Sequence, residues 1–160
     1  CMKYLIALLA AAGIFVSARA LQVHYMDPSA APPCAVTAHW DCGIVNHSKY
    51  SVFPPISFDE KPGTVHIPVA TVGMIGYALI AVFAVSGRLW IVLELAQIGL
   101  MCAAFLSFIE GYILQMWCIY CVWSQAIIAA VVLVTIAALV MRRGERQRLK
   151  ASAAAVGPVD

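Results

Sequence analysis

Four apolar runs limit what this chain can fold into more than any other feature. They extend from about Tyr4 to Val23, Val69 to Ser86, Leu89 to Ile109 and Met116 to Val140. A helix needs about 20 residues to cross a hydrocarbon core, and each run meets or approaches that length. Helices are the expected form, because unpaired backbone groups cannot sit in lipid and no barrel-type alternation is visible. Composition agrees: the chain is 63% hydrophobic and 11% charged, whereas soluble domains sit near 45–50% and about 25%. The expected fold is an all-α integral membrane protein. It is a four-transmembrane-helix bundle with a long outer loop, about 24–66, that carries a short interfacial helix. Residues 1–143 form the transmembrane domain, and 144–160 are expected to be a basic, disordered cytoplasmic tail.

Basic residues orient the spans. The segment Arg142–Lys150 carries five bases and one acid, Arg88 marks a tight turn between spans two and three, and Lys3 precedes span one. The long segment between spans one and two has only Lys49 and Lys61 against Asp27, Asp41, Asp59 and Glu60. The positive-inside rule therefore places both termini and the Arg88 turn in the cytoplasm. The long loop and a short link around Gly111–Gln115 face outward. Met2-Lys3, an apolar run and Ala18-Arg19-Ala20 also resemble a secretory signal, but the run is long for one, so span one is expected to be retained.

In the outer loop, Pro28, Pro32 and Pro33 forbid continuation of the first helix. Asp41 is placed to cap a short helix over Gly43–Ser48, with Ile44 and Val45 available to the membrane surface. Pro54–Gly63 reads as irregular loop, and Pro68 opens span two.

Cysteine placement carries the chemistry. Of the six, Cys34 and Cys42 lie in the outer loop, and Cys118-Ile119-Tyr120-Cys121 opens span four, so four face the same side. In bacteria that side is the oxidising compartment, where disulfides persist. Residues three apart on a helix share a face at about 5–6 Å, which suits a disulfide. The unpaired amides of a helix start also favour a thiolate. Cys121 sits one turn deeper than Cys118, within reach of a lipid-soluble electron acceptor. Trp117, Tyr120 and Trp123 surround the pair, as an interfacial aromatic belt also would. A thiolate of one pair can attack the disulfide of the other, which relays electrons. Three readings remain open from the residues themselves: a redox relay, a soft-metal (copper(I) or mercury) binding or transport protein, and a structural subunit braced by disulfides. Cys102, mid-span, is expected to be a small packing residue.

These features resemble the vitamin K epoxide reductase family in its bacterial form. The matching residues are Cys34, seven intervening residues and Cys42; Ser48 six residues further on; and Cys118-Ile-Tyr-Cys121 at the outer start of span four. Ser17-Ala-x-Ala-Leu and Gly73 with Tyr77 are looser echoes. The resemblance covers roughly residues 4–140. It implies a four-helix bundle that oxidises a thioredoxin-fold partner and reduces a membrane quinone, ubiquinone or menaquinone, supporting disulfide bond formation in the bacterial inner membrane. Carried over, Cys34 exchanges with the partner, Cys42 forms a transient disulfide with Cys118, and Cys121 faces the quinone. Ser48 helps order the pocket, and Gln125 occupies a head-group position. Members that use vitamin K have an asparagine near the start of span two and a tyrosine four residues after the last cysteine. Here Val69 and Gln125 stand there, and vitamin K epoxide turnover is not expected. Many bacterial members carry a fused thioredoxin domain. This chain ends at Asp160, so a separate thioredoxin-fold (DsbA-like) periplasmic partner is expected, and no nucleic acid.

The remaining polar residues give weaker signals. His24, His39, His47 and His66 show no clear ligand spacing and are expected to be solvated loop histidines, so no metal site is expected. Glu94 leans toward the cytoplasmic interface. Glu110 lies at the cysteine side of span three, where either simple interfacial exposure or proton transfer to a quinone would account for it. Asn46-His47-Ser48 matches a glycosylation acceptor, which has no meaning in a bacterial protein.

Overall fold

The computed structural model describes residues 2–27, 29, 34, 37, 39–56 and 65–155. Four long helices account for most of them: α1 (Met2–His24), α3 (Val69–Val85), α4 (Leu89–Phe108) and α5 (Ile119–Ala155). A five-residue helix, α2 (Cys42–Asn46), lies in the loop after α1. Among the described residues, three helical segments are long and apolar enough to cross a membrane: Met2–His24, Leu89–Leu114 and Ile119–Ser152. α3 is apolar throughout but has 17 residues, about 26 Å at 1.5 Å per residue, short of a ~30 Å hydrocarbon core. The chain is thus an all-α membrane protein with three candidate spans and one shorter apolar helix.

The long helices pack in a ring, α1 against α3 and α5, and α4 against α5 and α3. Small residues permit the close approaches. The Tyr77 ring of α3 lies directly on Gly13 of α1, where any Cβ would collide with it, as helix interfaces in lipid commonly require. The buried core runs through Ile6, Ala10, Ile80, Val92, Ala96 and Val131. The outside is equally apolar: Phe15, Ile75, Val82, Ile98, Phe105 and Leu133 are all exposed. In water such a surface would aggregate, and in lipid it is the solvated face.

The turn between α3 and α4 closes where expected. Gly87 has φ of 75°, its N–H donates to Ala84 O (3.0 Å), and the Arg88 N–H donates to Phe83 O (3.0 Å). This pair of bonds is the Schellman closure that a left-handed glycine makes possible. At the same end, Arg142 donates to the Gly87 carbonyl (3.3 Å) and Arg143 lies over the Trp90 ring at 5.4 Å.

Several expectations are corrected. The tail from residue 144 was expected to be disordered, yet α5 runs unbroken to Ala155. Arg, Glu, Gln, Leu, Lys and Ala are all strong helix formers, enough to carry the helix past Gly144. The link after α4 is shorter than Gly111–Gln115: the helix continues as a π-helical turn over Ile109–Leu114, and Gln115 closes it in the left-handed region with φ of 52°. The loop also holds an unforeseen two-stranded pairing, β1 (Val52–Phe53) with β2 (Ile67–Pro68), antiparallel. With the bond from Val69 N–H to Ser51 O (2.8 Å), it returns the loop to the start of α3. Pro28, Pro32, Pro33, residues 57–64 of the irregular stretch and 156–160 of the tail lie outside the described residues. Next to Pro28, the Ser29 N–H and hydroxyl both donate to Asp27 (2.9 and 2.7 Å) and hold its carboxyl below the usual carboxylate range.

Candidate functional site

The short helix α2 is built as its sequence indicates. Asp41 caps it, accepting from the N–H groups of Gly43 (2.7 Å) and Ile44 (3.3 Å), an arrangement worth about 1 kcal/mol. Ile44 is exposed, as expected for a residue available to lipid. Val45 is instead buried, because it faces Val23 at the end of α1 and joins a small core with Cys34, Cys42 and Cys118.

A backbone bridge sets the two cysteine pairs side by side. The Trp117 N–H donates to His39 O (2.9 Å), and the Asp41 N–H donates to Trp117 O (3.1 Å). The residues just ahead of Cys42 and Cys118 are therefore paired like neighbouring strands. The Trp40 and Trp117 rings lie 6.3 Å apart over this bridge. Trp123 is exposed on the outside.

Cys34 and Cys42 are joined in a disulfide with Cα atoms 5.8 Å apart. Cys118 and Cys121 are free thiols, Cys118 fully buried and Cys121 half-buried. Cys118 immediately precedes α5 and its carbonyl accepts the Val122 N–H (3.1 Å). All four expected cysteines thus meet at one end of the bundle. Cys34 is only 4% exposed, so it does not present an open thiol or disulfide face to a partner.

Beside the cysteines lies a cavity of about 290 Å³ between α1, α3, α4 and α5. Cys121 and Glu110 are in its wall, polar groups such as Asn46, Ser48, Tyr120 and Ser124 contribute too, and the remainder is largely aliphatic. Val69 lies in the wall too. Tyr77 is held by donation to the Ser124 carbonyl (2.8 Å). A mostly apolar pocket with a few convergent polar groups is the usual form of a small-molecule site. Ser48 borders the cavity with its hydroxyl donated to Val45 O (2.8 Å).

Gln125 is not brought to the cavity. Its side-chain oxygen instead accepts the Ser107 hydroxyl across the α4–α5 contact. Cys102 is no packing residue. It is exposed and borders the same cavity, while neighbouring Gly99 takes the close contact with Ile128.

Two residues acquire weight that the sequence did not give them. Asn46 is buried, and its amide donates to Cys42 O (2.8 Å) and to the Cys118 sulfur at 3.6 Å. It touches both pairs at once, and its position four residues after Cys42 on the same helix was the one available signal. Glu110 is 2% exposed rather than at an open interface, since the π-helical turn carries it inward to accept the Cys118 N–H (3.1 Å).

The histidines are also more engaged than solvated loop residues. His24 donates from Nδ1 to Asn46 O (2.6 Å), and its ring stacks on His47 at 6.3 Å. His47 reaches the Gly43 and Met26 carbonyls (2.8 and 3.1 Å), and His66 reaches Pro54 O (2.8 Å). These bonds fasten the loop to the end of α1. Among the described residues no group of three or more His, Cys, Asp or Glu converges as a metal site would need.

No curated protein matches the chain. A family model, the vitamin K epoxide reductase family, matches residues 4–136, which include the four site cysteines and most of the helical bundle, and the chain belongs to that family of thiol–disulfide oxidoreductases.

Proposed function

We propose that this protein is a quinone-dependent thiol–disulfide oxidoreductase that oxidises a separate thioredoxin-fold protein in the periplasm. The observation that carries the reading is the meeting of an oxidised pair, Cys34–Cys42, with a reduced pair, Cys118 and Cys121, beside an apolar cavity that Cys121 borders. The donor's thiolate attacks Cys34, displacing Cys42 as thiolate. Resolution of that mixed disulfide releases oxidised donor and leaves both loop cysteines reduced. Cys42 then attacks Cys118 of an oxidised Cys118–Cys121 pair, and Cys34 resolves the Cys42–Cys118 bond. The Cys118–Cys121 dithiol is left to be reoxidised. Because Cys34 is buried, its sulfur must become accessible before the donor can attack.

The cavity suits a quinone: it is apolar, borders the deeper cysteine and has a few polar groups for carbonyl oxygens. A quinone held there would supply a two-electron, two-proton sink. Each 30 mV of potential difference is worth about 1.4 kcal/mol in such a step. Cys121, Asn46 and Ser48 are the residues that would meet its head group. Gln125 drops out of that set, and aliphatic Val69 in the wall argues against vitamin K epoxide as substrate.

In this reading α3 also crosses the bilayer, the extended Ile67–Pro68 making up part of its length. Residues 1–143 are the redox domain of a bacterial inner-membrane protein. The arginine-rich end with Arg88, Arg142 and Arg143 is cytoplasmic, with both termini, and the cysteine end is periplasmic.

The test is quinone reduction by purified protein in detergent, with a reduced periplasmic-type dithiol protein as donor. Turnover with ubiquinone or menaquinone is expected. No turnover with either, in protein whose four site cysteines exchange normally, would overturn the quinone reading and favour soft-metal binding by the same thiols.

A further inference from the structure

We propose that Glu110 is the proton carrier of the Cys118–Cys121 centre, an inference that rests on the quinone-linked reading and extends it to a further catalytic residue. Glu110 is the one buried carboxylate among the described residues, and a carboxyl group at that depth in a membrane protein is costly unless it has a use or a partner. The structure gives it two partners, both belonging to the reactive pair. One is the Cys118 N–H at 3.1 Å, and the other is Cys121, which shares the wall of one cavity with it.

The backbone is shaped around this residue. Ile109–Leu114 forms a π-helical turn, a local widening that recurs at functional sites. The Glu110 carbonyl accepts the N–H groups of Gln115 and Met116, the latter at 3.1 Å. The Trp117 ring lies against Gly111, where a Cβ would meet it at 3.3 Å. The carboxylate is thereby tied to the chain entering α5, at the wall of the cavity that Cys121 borders.

The chemistry needs such a group. Closing the Cys118–Cys121 disulfide breaks two S–H bonds and forms one S–S bond. Two electrons pass to the quinone, and its two oxygens gain two protons. The apolar wall offers few other proton acceptors beside Cys121. Glu110 takes the proton as the Cys121 sulfur becomes nucleophilic and returns it on the cavity side. It then does the same for Cys118 and ends as it began. Positioned acid–base groups of this kind contribute about 100-fold or more to rate.

Glu110→Gln separates this role from a structural one, because the amide oxygen can still accept the Cys118 N–H but cannot carry a proton. In reduced full-length protein, alkylation of Cys121 by N-ethylmaleimide, followed on its peptide by mass spectrometry, is expected to slow by about 10-fold or more. Quinone turnover is expected to fall by about 100-fold, and Glu110→Asp should recover a measurable part of both. Uptake of one pair of electrons from the donor by the Cys34–Cys42 disulfide, measured without quinone, should keep its wild-type rate. Unchanged alkylation in the Gln variant, or an equal fall in all three readouts, would overturn the proposal. Wild-type protein that fails to reduce quinone would count against the quinone reading. A Gln variant as active as wild type would count against Glu110 alone.

Discussion

Cys121→Ala is expected to reduce quinone no faster than the uncatalysed background. Cys121 is the cysteine of its pair that borders the cavity, whereas Cys118 is fully buried on the far side, against Asn46 and the Cys42 helix. Without the Cys121 sulfur no second atom is available to close the disulfide, and the two electrons have no route to the acceptor. The Cys34–Cys42 disulfide belongs to different elements and should still be reduced by donor protein, at the wild-type rate and once per chain. Loss of one half-buried sulfur leaves the packing largely intact, so thermal stability is expected to stay close to wild type. The check is quinone absorbance under steady-state conditions beside a single-turnover assay of donor oxidation. Substantial steady-state turnover in this variant would remove Cys121 from its assigned place.

Cys42→Ala is the second large effect. It should lower turnover driven by a protein dithiol by about 1000-fold, while turnover driven by dithiothreitol, small enough to reduce Cys118–Cys121 directly, persists. Cys42 is fully buried, and Asn46 of its helix bonds both the Cys42 carbonyl and the Cys118 sulfur, so Cys42 is the loop cysteine assigned to hand electrons inward. Opening the disulfide also removes a brace over a sequence separation of eight, worth about 2.5 kcal/mol by loop-closure entropy. Cys34→Ala opens the same brace and serves as the stability control. Equal loss with both reductants in Cys42→Ala, against retained dithiothreitol turnover in Cys34→Ala, would show that Cys42 acts on something other than the relay.

Much of this arrangement could be read from local sequence because local physics sets it. Apolar runs fixed α1 and α3 to within a few residues, Asp41 announced its cap, and Gly87-Arg88 announced its turn. The cysteine spacing pointed to two pairs at one end of the chain's membrane domain. The loose echoes also meet: Gly73 faces Ser17, whose Oγ a Cβ there would meet at 3.3 Å, and the Tyr77 ring rests on Gly13.

What sequence reasoning missed depends on contacts between distant residues. The hydrogen bond from Asn46 to Cys118 spans 72 positions, and the spacing of Asn46 from Cys42 on α2 points to one pair but not to the other. The burial of Glu110 follows from a π-helical turn that its own carbonyl and carboxylate help to close, which no periodicity reveals. Gln125 lies one helical turn beyond Cys121, yet its side chain is taken by Ser107 of α4, a partner that spacing along one helix does not reveal. Depth along a span does not say which side of α4 Cys102 occupies, and it is exposed at the cavity. In the basic segment after Arg142, charge suggests a solvated tail, while its helix-forming side chains continue α5 to Ala155.

The most direct measurement is of the bond between the two pairs. In a Cys34→Ala, Cys121→Ala double variant, Cys42 and Cys118 are the only members of the two pairs left. Under mild oxidation the account predicts a Cys42–Cys118 disulfide in most of the protein, identified as a cross-linked peptide that reductant separates. Two free thiols that remain alkylatable under the same oxidation, in protein that keeps its helical content, would contradict a relay through these cysteines.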